Sequence, residues 1–303
     1  MTRASGMSPG QTAQSGDFEA LTAWLAAEHF SFATVAGGLR LDLPETRWAF
    51  ITRVMGNYGW VCRESGNPVL VAGKAGWGQA ADRLKTLLKP QLLCLDVDGC
   101  LIDTRASFDA VVNRILVHFT GQDVTRAEIL ALRAESGFND DNLLAQEIMR
   151  RRGVMVALTD ILPVFRRFYF GEADMAGLYE AEKPLISQPL LQRLLENYAV
   201  CLVTGRNREE VALAYPVLNL PKWVPAVTVD DVPRGKPDPA GIRLAADRAK
   251  ARRIWMVGDN KDDILAGLAA GAVTLGVGEN HRALREAGAA VVLNDINEIE
   301  ALL

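Results

Sequence analysis

Leu92-Leu93-Cys94-Leu95-Asp96-Val97-Asp98-Gly99 is an apolar run cut off by two aspartates and a glycine. Consecutive apolar residues without polar alternation suit a strand buried on both faces, as in a parallel sheet covered by helices. Similar short runs recur at Ala199–Val203, Ala226–Val229, Ile254–Val257, Val273–Val277 and Ala290–Leu293, with helical spacing between them. The pattern implies an α/β fold, a doubly wound parallel sheet. Residues 107–186 have no clear strand and read as an inserted α-helical cap after the first strand.

Three of these runs end in distinctive polar clusters. The first ends in Asp96-Val97-Asp98-Gly99, the second in Thr204-Gly205-Arg206, and the fourth in Gly258-Asp259-Asn260-Lys261-Asp262-Asp263. Ligands bind beyond the carboxyl ends of strands in open parallel sheets, so the three clusters are expected on one edge. Four carboxylates brought together there would repel one another. A hard cation such as magnesium, which takes oxygen ligands, removes that repulsion and neutralises phosphoryl oxygens. Lys236, in Arg234-Gly235-Lys236-Pro237-Asp238-Pro239, adds a second positive charge. Singly, each cluster is a common turn or helix-cap pattern. Their order, each at a strand end or helix entry, carries the inference.

The remaining composition narrows the class. With 33 basic and 37 acidic residues the net charge is -4, and no basic run interleaved with aromatics suggests a nucleic-acid partner. Cys62, Cys94, Cys100 and Cys201 form no C-x-x-C pair and read as reduced core thiols. His29, His118 and His281 lack the spacing of a zinc site. No apolar run reaches transmembrane length and no secretory leader is evident, so a cytoplasmic protein without a membrane partner is expected. Residues 1–16 read as a disordered tail. Residues 17–89 read as a small N-terminal α+β accessory domain, ordered helix, strand, strand, helix, strand, strand, with Asp17 capping the first helix. This accessory domain is a possible homo-oligomer contact. Residues 90–106 and 187–303 make up the expected catalytic core.

Leu92 to Thr104, with Thr204, Lys236, Gly258-Asp259 and Asp263, closely resembles the four motifs of the haloacid dehalogenase-like (HAD) hydrolase superfamily. The helical insertion resembles the C1 cap of its phosphoglycolate phosphatase-like branch. The resemblance covers about residues 90–303 and implies a Rossmann-like core and a Mg2+-dependent phosphatase acting on a small phosphorylated metabolite. It assigns Asp96 as nucleophile, forming an aspartyl-phosphate, and Asp98 as acid–base. Thr204 and Lys236 would hold phosphoryl oxygens. Asp96, Asp98 (through its carbonyl), Asp259 and Asp263 would serve the metal. Asp98 favours P–O cleavage, because halide release needs no proton. A sugar phosphomutase would keep both aspartates, and a non-catalytic regulatory relative need not keep them. Ser136-Gly137-Phe138-Asn139-Asp140-Asp141-Asn142 and Leu202–Arg206 resemble a subgroup found fused to histidinol-phosphate aminotransferase, which adds histidinol phosphate to phosphoglycolate and sugar phosphates as candidate substrates. Gly205, Arg206, Phe138, Asn139 and Asp140 are the expected substrate contacts.

Overall fold

The computed structural model describes residues 9–35, 38–56, 61–63, 69–71, 77–133, 135, 138 and 140–303. The chain divides into two units between Pro90 and Gln91, with Ala301–Leu303 grouped with the first.

The first unit contains α1 (Pro9–Ala27), β1 (Phe32–Val35), β2 (Gly38–Leu41), α2 (Glu45–Gly56), β3 (Val61–Arg63), β4 (Val69–Val71) and α3 (Gly78–Leu88). Its strands form an antiparallel sheet in the order β1-β2-β4-β3. Two expectations change. Helix α1 begins at Pro9, not at Asp17, so residues 9–16 of the expected tail are helical, while residues 1–8 lie outside the described residues. Proline suits a first helical turn, where its missing N–H has no helical partner to lose. Helix α3 was not expected. Its apolar residues Ala80, Ala81, Leu84, Leu87 and Leu88 recur at helical spacing and are buried, but Gly78 opens it, a poor helix former. The buried Trp48 belongs to the core of this unit, and its indole N–H donates to the Leu41 carbonyl at 3.0 Å.

The second unit opens with β5 (Leu92–Leu95), β6 (Ile102–Asp103) and four helices, α4 (Phe108–Thr120), α5 (Arg126–Arg133), α6 (Asp141–Arg151) and α7 (Leu158–Phe170). The strands β7 (Gly171–Glu172), β8 (Met175–Ala176) and β9 (Lys183–Pro184) follow. The helices enclose their own apolar cluster, including Val111, Val112, Ile115, Leu144, Phe165 and Tyr169. Strand was not expected in this segment. Each of these strands is two residues long, too short for a period-two pattern to register. The β6–β9 pairing ties the chain entering the helical insertion to the chain leaving it.

The chain returns through α8 (Gln188–Asn197), β10 (Ala199–Val203), α9 (Arg208–Val217), β11 (Ala226–Val227), α10 (Ala240–Ala249), β12 (Ile254–Gly258), α11 (Lys261–Ala269), β13 (Val273–Val277), α12 (His281–Glu286) and β14 (Val291–Leu293). Six strands form one parallel sheet in the order β11-β10-β5-β12-β13-β14, flanked by helices. Every residue of β5, β12 and β13 is buried, which is why these runs carry no polar alternation. Cys94, Cys100 and Cys201 are free and buried, as core thiols should be. Among the described residues no helix is long and apolar enough to cross a membrane.

Candidate active site

Strand order places the motifs. Strand β5 lies between β10 and β12, and Leu95 is in register with Leu202 on one side and Val257 on the other. Asp96, Thr204 and Asp259 therefore leave the sheet at neighbouring points on one edge. The Asp96 N–H donates to the Val257 carbonyl at 2.9 Å, extending the ladder to that aspartate. The chain then turns sharply. The N–H groups of Leu101 and Ile102 donate to the Val97 carbonyl, and that of Gly99 to the Ile102 carbonyl, each at 2.9 Å. Gly99 has φ +70°, and a Cβ there would lie 2.1 Å from Asp259 Oδ2. The position must be glycine on both counts. Gly99→Ala should push Asp259 aside and cost about 1–2 kcal/mol for the left-handed backbone alone. Chemical denaturation alongside metal titration would check this, and wild-type values for both would contradict it.

Lys236 closes the site. Its ammonium donates to Asp96 Oδ1 at 2.6 Å, pairs with Asp263 Oδ1 at 2.5 Å and reaches the Val203 carbonyl at 3.1 Å. Asp263 sits in the first turn of α11, in a reciprocal cap with Asn260. Its Oδ2 accepts from the Asn260 N–H at 3.0 Å, while Asn260 Oδ1 accepts from the Asp262 N–H. Asp96, Asp259 and Asp263 offer carboxylate oxygens within 4.8 Å of one another.

The electrostatics follow from three carboxylates sharing one ammonium. Burial, then the charge of Asp263, push the Asp96 carboxyl well above its ordinary range, with Lys236 opposing them. Burial works against the charge on Lys236, but Asp263 and Asp96 outweigh it and hold the ammonium above its usual value. Burial and Asp263 push Asp259 up to about 7. No described residue donates a hydrogen bond to the Asp259 carboxylate. An all-oxygen, under-neutralised cluster of this kind fits a hard divalent cation. Asp96, Asp259 and Asp263 are the residues able to hold it.

The cluster forms the floor of a cavity of about 450 Å³. Gly205, Arg206 and Asp140 line it, as do Arg133 and Glu210, which no motif announced. Thr204, expected to hold a phosphoryl oxygen, is buried and does not line the cavity: its N–H donates to the Val227 carbonyl and its Oγ1 accepts from the Arg206 N–H at 3.1 Å. Burial pushes Glu210 up to about 7. The Asp98 carboxylate lies outside the three-carboxylate group, and Arg206 holds its Oδ1 through Nε at 2.9 Å and Nη2 at 2.6 Å. Three expected substrate contacts change. Arg206 is not free to bind substrate: all five of its N–H donors meet protein acceptors, the others being Glu182 Oε2, Tyr169 Oη and the Glu210 carbonyl. Phe138 packs on the apolar cluster of the insertion and does not line the cavity. Asp140 lines the cavity, but its carboxylate caps α6, accepting from the N–H groups of Asn142 and Leu143. Asn139 lies outside the described residues.

A strand-end aspartate, a lysine at 2.6 Å from it and a shared acidic cluster sit together on one edge of the parallel sheet. The haloacid dehalogenase-like hydrolase family model matches residues 90–271. The chain belongs to the haloacid dehalogenase-like hydrolases. Within that family it lies in the phosphoglycolate phosphatase-like branch. This HAD-like hydrolase is 30% identical over 185 residues to pyrophosphatase PpaX of Bacillus pumilus, covering 60% of the chain and 80% of the relative. It is 26% identical over 228 residues to phosphoglycolate phosphatase of Pseudomonas fluorescens, covering 69% and 78%. An imidazoleglycerol-phosphate dehydratase of Phytophthora nicotianae matches at 29% over 195 residues, 62% of the chain but only 43% of that longer protein. A crystallised hydrolase from Pseudomonas syringae superposes with a TM-score of 0.55 at 22% identity, covering 70% of this chain and 96% of that one, and so shares the fold.

Proposed function

We propose that this HAD-like hydrolase is a magnesium-dependent phosphatase that cleaves small phosphate monoesters through a phosphorylated Asp96. The observation that carries the reading is the Lys236 ammonium, 2.6 Å from Asp96 Oδ1 and 2.5 Å from Asp263 Oδ1, on the floor of an accessible cavity. A phosphoryl group brought to Asp96 meets that ammonium at once, which offsets the repulsion between an anionic nucleophile and an anionic substrate.

In this reading an Asp96 oxygen attacks phosphorus, the ester P–O bond breaks, and Asp98 gives its proton to the departing oxygen. Asp98, now a carboxylate, takes a proton from water as the water oxygen attacks the phosphorylated Asp96. The P–O bond to Asp96 breaks and inorganic phosphate leaves. Lys236 stays with the phosphoryl oxygens throughout. Asp96, Asp259 and Asp263 would hold a magnesium ion, which would supply charge neutralisation for those oxygens. The relatives' names concern different phosphorylated molecules. A phosphoryl group is what those molecules share, so the reading is one of class.

Phosphate release from p-nitrophenyl phosphate and a panel of phosphorylated metabolites tests it. Release should need magnesium and stop with chelator, and release that persists without divalent metal would overturn the reading. Metal affinity should also follow pH. Burial and neighbouring carboxylates raise both Asp96 and Asp259, so as pH falls the ion must displace protons from them. Affinity should weaken as pH falls, by about tenfold per pH unit for each proton displaced. Calorimetric titration with magnesium would show this, and a flat profile would contradict it.

A further inference from the structure

Arg206 is charged and almost wholly enclosed, and all five of its N–H donors are taken by protein acceptors. Its side chain is 1% exposed, and that of its partner Glu182 is 0% exposed. Such a group must be held by fixed acceptors, and here they come from several directions. Tyr169 of α7 accepts from Nη1 at 3.1 Å, and the Glu210 carbonyl accepts at 3.3 Å. Glu182, just before β9, accepts from Nη2 at 2.9 Å. Glu182 Oε1 in turn accepts from Tyr169 Oη and Ser107 Oγ, each at 3.0 Å. The Phe108 ring lies 5.0 Å from the guanidinium carbon. The plane of the guanidinium is thus determined without Asp98.

That fixed plane presents Nε and Nη2 to one oxygen of Asp98, Oδ1, at 2.9 and 2.6 Å. The other oxygen receives no hydrogen bond from any described residue. Asp98 lines the cavity with its side chain 31% exposed. A free carboxylate rotates about its last bond and shares protons between equivalent oxygens. Here the two oxygens are inequivalent.

We propose that Arg206 is the positioning residue of the acid–base. It immobilises Asp98 through Oδ1, so that Oδ2 alone gives a proton to the leaving oxygen and takes one from water. The inference rests on the acid–base role of Asp98 in the proposed function. It explains why a residue two places after Thr204, next to the phosphoryl site, spends all its donors on the protein.

The test is a series of phosphate monoesters of rising leaving-group pKa, from p-nitrophenyl phosphate to an alkyl phosphate. A good leaving group needs no proton, whereas an alkoxide does. Arg206→Ala should lower kcat/KM for the alkyl ester by about 100-fold or more, and for p-nitrophenyl phosphate by a few-fold at most. Added guanidinium should restore about tenfold of the alkyl-ester activity. Arg206→Lys keeps the charge, covering the case in which Arg206→Ala does not fold. It should show the same selective loss, because one ammonium cannot reproduce the two-pronged hold. A loss equal across the series, or a rise in KM alone, would overturn the inference in favour of a structural or phosphate-binding arginine. Asp98→Asn in the same series separates the two readings. If it shows the leaving-group-dependent loss and the Arg206 variants do not, the positioning role alone fails. If Asp98→Asn shows no such dependence, the acid–base assignment fails and the inference falls with it.

Discussion

Asp96→Asn should abolish phosphate release while leaving the fold in place. The amide has nearly the volume of the carboxyl, and its carbonyl oxygen can still accept from Lys236, which now donates to Asp96 Oδ1. In the proposed mechanism the amide cannot form the phosphorylated intermediate. Removing the nucleophile of a covalent mechanism costs on the order of 10⁴-fold or more in kcat. The fold should survive because substitution also removes a carboxyl that burial and Asp263 already disfavour in its charged form. Steady-state kinetics with p-nitrophenyl phosphate, with circular dichroism as the check on folding, measures both. Turnover within tenfold of wild type would place the nucleophile elsewhere.

Lys236→Met should damage stability as well as turnover. The lysine and its two partners are nearly enclosed, with side-chain exposures of 8%, 7% and 1% for Lys236, Asp96 and Asp263. Removing one member of a buried ion pair leaves the other charge uncompensated, typically at a cost of about 3–5 kcal/mol. Asp96 gives the effect its pH dependence. Its folded-state pKa is already raised, and Lys236 is the group that lowers it, so loss of the lysine raises it further. A carboxyl with a folded pKa above its unfolded value binds more protons when folded, so its stability contribution is present at low pH and lost as pH rises. The metal-free variant should therefore be closest to wild type in acid and most destabilised near neutrality. Magnesium should recover part of the loss by supplying positive charge to the same carboxylates. Denaturant melts across pH, with and without magnesium, would decide the matter, and a pH-independent deficit would contradict the account.

Much of this site was legible along the chain, for a local reason. A strand buried on both faces has to be apolar at every position, so its end at the sheet edge shows as an abrupt change to Asp96, Thr204 or Asp259. Asp263 was legible because it closes the polar cluster Gly258–Asp263 that follows the fourth apolar run. Helix α3 was harder to see, since its apolar spacing sits behind a glycine opening. Arg206 was misread as a substrate contact because its chemical type and its place beside Thr204 suit a phosphate. Nothing adjacent in sequence reveals that its acceptors come from Asp98, Tyr169 and Glu182. Phe138 was misread similarly: an aromatic near a polar turn gives no sign of which way it packs.

The sequence by itself determined the apolar strands, the order of the polar clusters at their ends, and the membership of the chain in the HAD-like hydrolases. Those properties depend on neighbours along the chain, where backbone periodicity and burial leave a pattern. Tertiary structure alone decided that β5 lies between β10 and β12, which brings Asp96, Thr204 and Asp259 to one edge. It alone decided that Lys236 lies between Asp96 and Asp263 and that Arg206 turns toward Asp98. A buried charge is satisfied by whichever partners packing brings within about 3 Å. Those partners are separated by as many as 140 residues here, a distance over which sequence spacing carries no trace of the contact.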